Sequence, residues 1–222
     1  MENILLIVAI LVIPLIAEIR VKSAYKRYMK ELNNSGLSGV EVARRILDNN
    51  GLSSVYVVET PGTLTDHYDP KRKTVRLSSA IFQDTTIASV AVAAHECGHA
   101  IQDKEGYFFL RLRTSIYPVV HIATAISYYI ILIGFIAEAL NLIYLGIGLS
   151  ALGLLFQIIT LPVEFNASNR AKQELRKMGI VSNDEAVGVA SMLSAAALTY
   201  VAGVLASALQ ILRLLLNAQR RR

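Results

Sequence analysis

Residues 115–163, SIYPVVHIATAISYYIILIGFIAEALNLIYLGIGLSALGLLFQIITLPV, contain a single residue with a formal charge, Glu138. Two apolar runs lie within them, residues 116–137 and 142–161. Each run matches the ~20 residues that a helix needs to cross a bilayer. The EALN connection between them has room only for a tight turn, so the two helices are expected to be antiparallel neighbours. The stretch therefore predicts a transmembrane helical hairpin in an integral membrane protein.

The composition of the whole chain agrees with a membrane location. Of its 222 residues, 54% are hydrophobic and 18% are charged, and the mean hydropathy is +0.46. Soluble domains carry about 25% charged residues. The net charge of +5 comes from Lys and Arg that cluster beside the apolar runs, which is typical of membrane topology signals and not of a nucleic-acid-binding surface. The single cysteine, Cys97, excludes an internal disulfide framework.

Further apolar segments lie toward both ends of the chain. Residues 1–19 predict an uncleaved membrane anchor, because they lack a basic start and are followed by five Lys and Arg residues up to Lys30. Residues 186–222 predict a long apolar helix with a basic tail. Between them we expect a polar domain at 20–115, the hairpin at 116–162 and a helical segment at 163–185.

The polar domain has the patterns of a small α+β fold. Ser38 and Glu41 form a capping box before an amphipathic helix. Residues 54–59, SVYVVE, predict a strand, and residues 63–78, TLTDHYDPKRKTVRLS, predict a hairpin. Asp84 is expected to cap the apolar helix that follows. The expected fold class is thus α+β: a mainly helical integral membrane protein with a short hairpin or sheet and three to four membrane helices.

That apolar helix carries AAHECGHAIQ, residues 93–102. On a helix, His95 and His99 lie about 40° apart on one face. Two imidazoles so placed can hold one tetrahedral Zn²⁺, and Glu96 can act as general base toward a water on that metal. The alternative is a chance match on an ordinary buried helix. A third ligand is needed to decide between them.

The best candidate for the third ligand is Glu164, which directly follows the second span of the hairpin. Catalytic zinc sites have three protein ligands and leave the fourth position to water. His67 and Asp103 remain alternatives, whereas His121 lies within the first span. Two membrane crossings separate His99 from Glu164, so both residues can meet at one membrane face.

Three motifs, HECGHAIQ (95–102), TDHYDP (65–70) and LPVEFNAS (161–168), resemble the YugP-type neutral zinc metallopeptidases of bacterial membranes. The resemblance covers nearly the whole chain and implies a membrane-bound peptidase. More distantly, the chain is similar to HtpX and CAAX-type proteases, which place a transmembrane hairpin between H-E-x-x-H and a downstream E-[FY]-x-A-D. Ser168 stands where those relatives carry the Asp that is expected to brace a histidine ligand, which leaves open what braces it here.

Together these features predict an integral membrane zinc metalloendopeptidase with a small zincin-like, gluzincin-like catalytic domain. Its substrates are expected to be membrane-associated or misfolded proteins. His95, His99 and Glu164 are expected to hold Zn²⁺, while Glu96 moves a proton from the attacking water to the leaving amine.

A second oxyanion donor or substrate contact is also expected. The candidates are His67, Tyr68 and Arg170. The strand at 74–78, or its hairpin partner, is expected to offer a free edge to an extended substrate.

Two other classes of function stay open. One is a zinc-binding membrane scaffold or chaperone-like protein without catalysis, against which the intact Glu96 argues. The other is a metal-dependent hydrolase of a non-peptide substrate, or a metal transporter. The expected partners are a peptide or protein substrate and the lipid bilayer, with no nucleic acid. The Lys and Arg distribution favours a multi-pass protein of the cell membrane with its active site at the cytoplasmic face.

Overall fold

The computed structural model describes residues 2–219, and they are mainly helical. The helices are α1 Glu2–Tyr28, α2 Gly39–Asn49, α3 Ser79–Gln83, α4 Ile87–Glu105, α5 Phe108–Ile136, α6 Leu140–Lys177 and α7 Asn183–Gln219. The strands β1 Tyr56–Thr60, β2 His67–Asp69 and β3 Thr74–Ser78 form one sheet. Among the described helices, α1, α5, α6 and α7 are long and apolar enough to cross a bilayer. The predicted fold class, a mainly helical α+β membrane protein, is confirmed.

The described chain divides into two compact units. The first comprises the residues up to Glu18, Arg111–Pro162 and the residues from Leu198 onward. Within it, α5 and α6 lie antiparallel, because Gly146 of α6 faces Ile131 of α5 while the later Gly153 faces the earlier Thr124. The predicted basic tail, residues 220–222, lies outside the described residues.

The second unit comprises Ile19–Leu110 and Val163–Ala197 and contains the sheet. The predicted hairpin is present: β2 pairs antiparallel with β3, with Tyr68 opposite Val75. On its other side, β3 pairs parallel with β1, so the strand order is β1-β3-β2. The expectation of a free edge at residues 74–78 is therefore wrong for β3, because both of its edges are occupied. The hairpin partner, β2, is an edge strand.

The core of the second unit lies between α2, α4 and the sheet. The capping box of α2 is confirmed, since the backbone N–H of Ser38 donates to Glu41 Oε2 at 2.8 Å. From this start, α2 turns Ile46 and Leu47 inward, and both are fully buried together with Leu77 of β3. Burial of each such side chain contributes about 1.5–3 kcal/mol to stability.

Helix α4 forms where the sequence predicts it, but its N-cap is not Asp84. Asp84 is instead the C-cap of the short helix α3, and the hydroxyl of Thr86 caps α4 by accepting from the backbone N–H of Ser89 at 3.2 Å. At the other end, Gly106 takes a left-handed conformation with φ of 66° and terminates the helix. The helix therefore runs unbroken through the motif at residues 93–102.

Candidate metal centre

Two histidines of α4 and one glutamate of α6 converge inside the second unit. The rings of His95 and His99 have their centroids 4.8 Å apart. The Nε2 atom of His95 lies 3.3 Å from Glu164 Oε2, and that of His99 lies 3.6 Å from the same oxygen. Glu164 is buried, at 3% exposure. The Nε2 atoms of both histidines thus lie close to the same carboxylate oxygen, and that carboxylate is buried.

These three side chains fit a zinc ion. Their donor atoms all lie within 4.8 Å of one another. With bonds of about 2.0–2.2 Å, two ligand atoms of a tetrahedral zinc lie about 3.3–3.6 Å apart. The 3.3 and 3.6 Å separations in the structure agree with that edge length. Two imidazoles and a carboxylate are also one of the ligand sets of catalytic zinc sites.

The candidate third ligand, Glu164, lies inside a longer element than the sequence indicates. Glu164 was expected in a separate segment after Pro162, but α6 continues through Pro162 to Lys177. The alternatives for the third ligand are not in the group that converges: among the described residues, that group contains neither His67 nor Asp103.

The second ring nitrogen of each histidine, Nδ1, has a partner of its own. The hydroxyl of Ser168 lies 3.2 Å from His95 Nδ1, and the Gln102 Oε1 atom lies 3.0 Å from His99 Nδ1. Partners of this kind orient a histidine ring and leave its other nitrogen to the metal. Ser168 therefore occupies the bracing position that the related proteases fill with Asp. Gln102 was not singled out from the sequence, although a Gln three residues after a candidate ligand on a helix lies within its reach.

Glu96 is buried beside the two histidines. Burial is the main cause that raises its pKa to about 7, and the negative charges of Glu164 and Asp66 act in the same direction. The positive charge of His95 and the nearby backbone of Tyr68, on β2, act in the opposite direction and lower this pKa. A carboxylate with a pKa near neutrality is well suited to accept and then release a proton.

The three side chains considered for substrate or oxyanion contacts have partners of their own. His67 is exposed, and its Nδ1 lies 2.8 Å from the Thr65 carbonyl oxygen. The Tyr68 hydroxyl donates to Asp103 Oδ2 at 2.7 Å, and burial together with this bond keeps the pKa of Tyr68 above its usual value. Asp103 also accepts from Lys73 at 2.5 Å.

The Arg170 guanidinium contacts Glu105 Oε2 at 2.6 Å and Asn166 Oδ1 at 2.7 Å. A role in catalysis for His67, Tyr68 or Arg170 stays a prediction.

Comparison with known proteins agrees with this centre. A family model described as "Putative neutral zinc metallopeptidase" matches residues 3–219. The chain is 50% identical over 197 residues to the "Putative membrane protease YugP" of Bacillus subtilis (strain 168), an alignment that covers 89% of this chain and 88% of that relative. No solved structure matches the chain significantly. The chain therefore belongs to the family described as "Putative neutral zinc metallopeptidase".

Proposed function

We propose that this protein is an integral membrane zinc endopeptidase that hydrolyses peptide bonds in membrane-associated or misfolded proteins. One observation carries the proposal: the Nε2 atoms of His95 and His99 face one oxygen of Glu164 at zinc-ligand spacing, with the buried Glu96 beside them. A structural zinc site has no use for that fourth, non-ligand side chain. Membership of the family and the name of the Bacillus relative support the same function.

In this proposal the chain's own residues perform the proton transfers. When bound, zinc supplies a Lewis acid that polarises the scissile carbonyl and makes a water acidic at neutral pH. Glu96 accepts the proton of the attacking water and delivers it to the nitrogen of the leaving amine. Burial keeps the pKa of Glu96 near 7, so that its carboxylate can both accept and release a proton at neutral pH. His67, exposed on the same strand, remains our candidate for contact with the developing oxyanion.

The proposed partners are an extended peptide segment and the bilayer. Strand β2 is an edge of the sheet and reaches Glu96 through Tyr68, so an extended substrate would lie along β2. Helices α1, α5, α6 and α7 supply the apolar lengths for a multi-pass protein. We propose that the active site lies at the cytoplasmic face of the cell membrane because the Lys and Arg clusters at residues 20–30 and 170–177 lie in the chain segments that form the second unit.

The test uses the full chain, purified in detergent and loaded with zinc. We expect the parent to cleave an unfolded protein such as casein. Glu96→Gln should keep its zinc and lose about 10²–10⁴-fold in rate, because Gln preserves size and hydrogen bonding but cannot accept the proton. Equal turnover by the two proteins would contradict the proposal. Bound zinc without casein cleavage by the parent would instead favour a scaffold or a hydrolase of non-peptide substrates.

A further inference from the structure

We propose that Gln102 is a positioning residue that fixes the tautomer of His99, at the end of a hydrogen-bond relay anchored by Arg170. The inference rests on the proposed function, since it takes His99 to be a metal ligand. It assigns a role in the metal centre to Gln102, Asn166 and Arg170, which do not themselves reach the metal.

The relay starts at a group whose direction of donation is fixed. The Nε atom of an arginine can only donate a hydrogen bond. Arg170 Nε lies 2.7 Å from the side chain of Asn166, so the Asn166 atom that faces it is the carbonyl oxygen. Glu105 holds the other end of the guanidinium, with its Oε2 atom 2.6 Å from the Arg170 side chain. Asn166 is thereby fixed with its oxygen turned toward α4.

The orientation of Asn166 in turn fixes the amide of Gln102. One end of that amide lies 3.0 Å from Asn166 Oδ1 and 2.8 Å from the backbone carbonyl oxygen of Val163. Both of these atoms are acceptors, so this end must be the NH₂ group. The opposite end, Oε1, lies 3.0 Å from His99 Nδ1.

The consequence for His99 follows from the same logic. The Oε1 atom of Gln102 can only accept, so His99 Nδ1 must carry the proton that is shared between them. The Nε2 atom of His99, which faces Glu164 Oε2 at 3.6 Å, then presents its lone pair to the metal position. A hydroxyl can either donate or accept, so the Ser168 contact with His95 Nδ1 imposes no such choice. The relay therefore sets the tautomer of one ligand and not of the other.

The buried amide of Gln102 also holds the backbone of α6. Gln102 is completely buried, and both polar atoms of its side chain have partners. Its bond to Val163 holds the backbone of α6 one residue before Glu164. One side chain thus orients His99 on α4 and holds the segment of α6 that carries the third ligand.

The experiment follows the imidazole nitrogens by ¹⁵N NMR in protein loaded with zinc or with ¹¹³Cd²⁺, and measures zinc affinity by competition with a chelator. In the parent we expect a protonated His99 Nδ1 and metal coupling at Nε2. Gln102→Met keeps the volume and removes the amide. It should weaken zinc binding about 10–100-fold and, by removing the acceptor of the His99 Nδ1 proton, broaden that N–H signal through exchange with water, while the His95 signals persist. Ser89→Ala, which alters another buried polar residue of α4, should change neither readout.

The far end of the relay gives a test that does not depend on a core substitution. Arg170→Met removes the obligate donor and should weaken zinc binding with the same broadening of the His99 Nδ1 signal, whereas Arg170→Lys retains a donor and should restore both. The relay is overturned if Gln102→Met or Arg170→Met leaves the His99 spectrum and the zinc affinity as in the parent. A parent that binds no zinc would overturn the proposed function instead.

Discussion

Gly98 faces the backbone of Ala167 so closely that a Cβ atom on Gly98 would lie 2.6 Å from the Ala167 carbonyl oxygen. A side chain at position 98 is therefore incompatible with the distance between α4 and α6. Gly98 directly precedes the candidate ligand His99, and Ala167 lies about one helical turn after Glu164. The absence of a side chain at Gly98 is what lets the candidate ligands His95, His99 and Glu164 of two helices converge.

Gly98→Ala should consequently separate Glu164 from the two histidines. The obstructing atom belongs to the backbone of α6, which cannot turn aside as a flexible side chain would. We expect a destabilisation of about 1–3 kcal/mol from overpacking and a loss of bound zinc, measured by thermal unfolding and elemental analysis. The control is Gly148→Ala on α6, where no heavy atom lies within 4 Å of the added Cβ. Full zinc content in Gly98→Ala would show that the close approach is dispensable.

Removal of the third ligand should abolish metal binding while the fold persists. Glu164→Ala takes away the only carboxylate in the group that converges within the described residues. Its zinc affinity should fall by more than the 10–100-fold typical of an outer partner. Glu174→Ala, on the same helix, removes a carboxylate that accepts from Asn50 at 2.7 Å, and it should keep its zinc. Equal zinc per chain in the two variants would argue against Glu164 as a ligand.

The stability of the metal-free protein should depend on pH through Glu96. Burial raises the pKa of this carboxyl from 4.5 to about 7 in the folded protein. Between those values the folded state binds more protons than the unfolded chain, so the stability contribution of Glu96 is present below pH 4.5 and is lost as the pH rises to about 7. At one pKa unit per ~1.4 kcal/mol, the loss is on the order of 3 kcal/mol.

Glu96→Gln cannot ionise and should escape this loss. In the metal-free state we expect its free energy of unfolding to exceed that of the parent above pH 7. The difference should vanish below about pH 4.5. Denaturant unfolding at a series of pH values measures the difference directly. A gap between the two proteins that does not change with pH would mean that Glu96 is not desolvated in the folded state.

Much of the fold was accessible from local patterns in the sequence. The capping box at Ser38, the hairpin that brings Tyr68 opposite Val75, and the helix through His95 each depend on neighbours in the chain. The convergence of Glu164 with the histidines could be predicted because a hairpin of two spans would return the chain to the same side of the membrane.

The strand order of the sheet and the partners of Asp103 and Gln102 could not be inferred, because they depend on contacts between distant segments of the chain. The parallel pairing of β1 with β3 is set by packing and not by a turn, so the sequence does not reveal which strand lies at the edge. Asp103 lies only four residues after His99, yet its carboxylate accepts hydrogen bonds from Tyr68 and Lys73. The orientation of Gln102 depends on hydrogen bonds to Val163 and Asn166, which follow the predicted hairpin in the sequence.

The orientation of α7 follows from contacts inside the first unit. The Asn3 side chain, at the start of α1, donates to Asn217 Oδ1 at 3.0 Å, so the end of α7 lies beside the start of α1. Ala218 is also buried in one cluster with Ile143, near the start of α6. If the Lys and Arg clusters keep the second unit in the cytoplasm, all three of these helix ends are extracytoplasmic and α7 crosses the bilayer. The basic residues 220–222 would then be an exception to the positive-inside rule.

Single cysteines in a Cys97→Ser background test this topology with a membrane-impermeant thiol reagent on intact cells. Lys71, Asn141 and Gln219 are suitable positions because all three are exposed. We expect labelling at Asn141 and Gln219, since each lies at one of the helix ends that the contacts bring together, and no labelling at Lys71 until the cells are opened. Labelling at Asn141 alone would mean that α7 does not cross the bilayer, against the Asn3–Asn217 contact. Labelling at Lys71 in intact cells would place the sheet, and the metal centre that belongs to the same unit, on the outer face of the membrane.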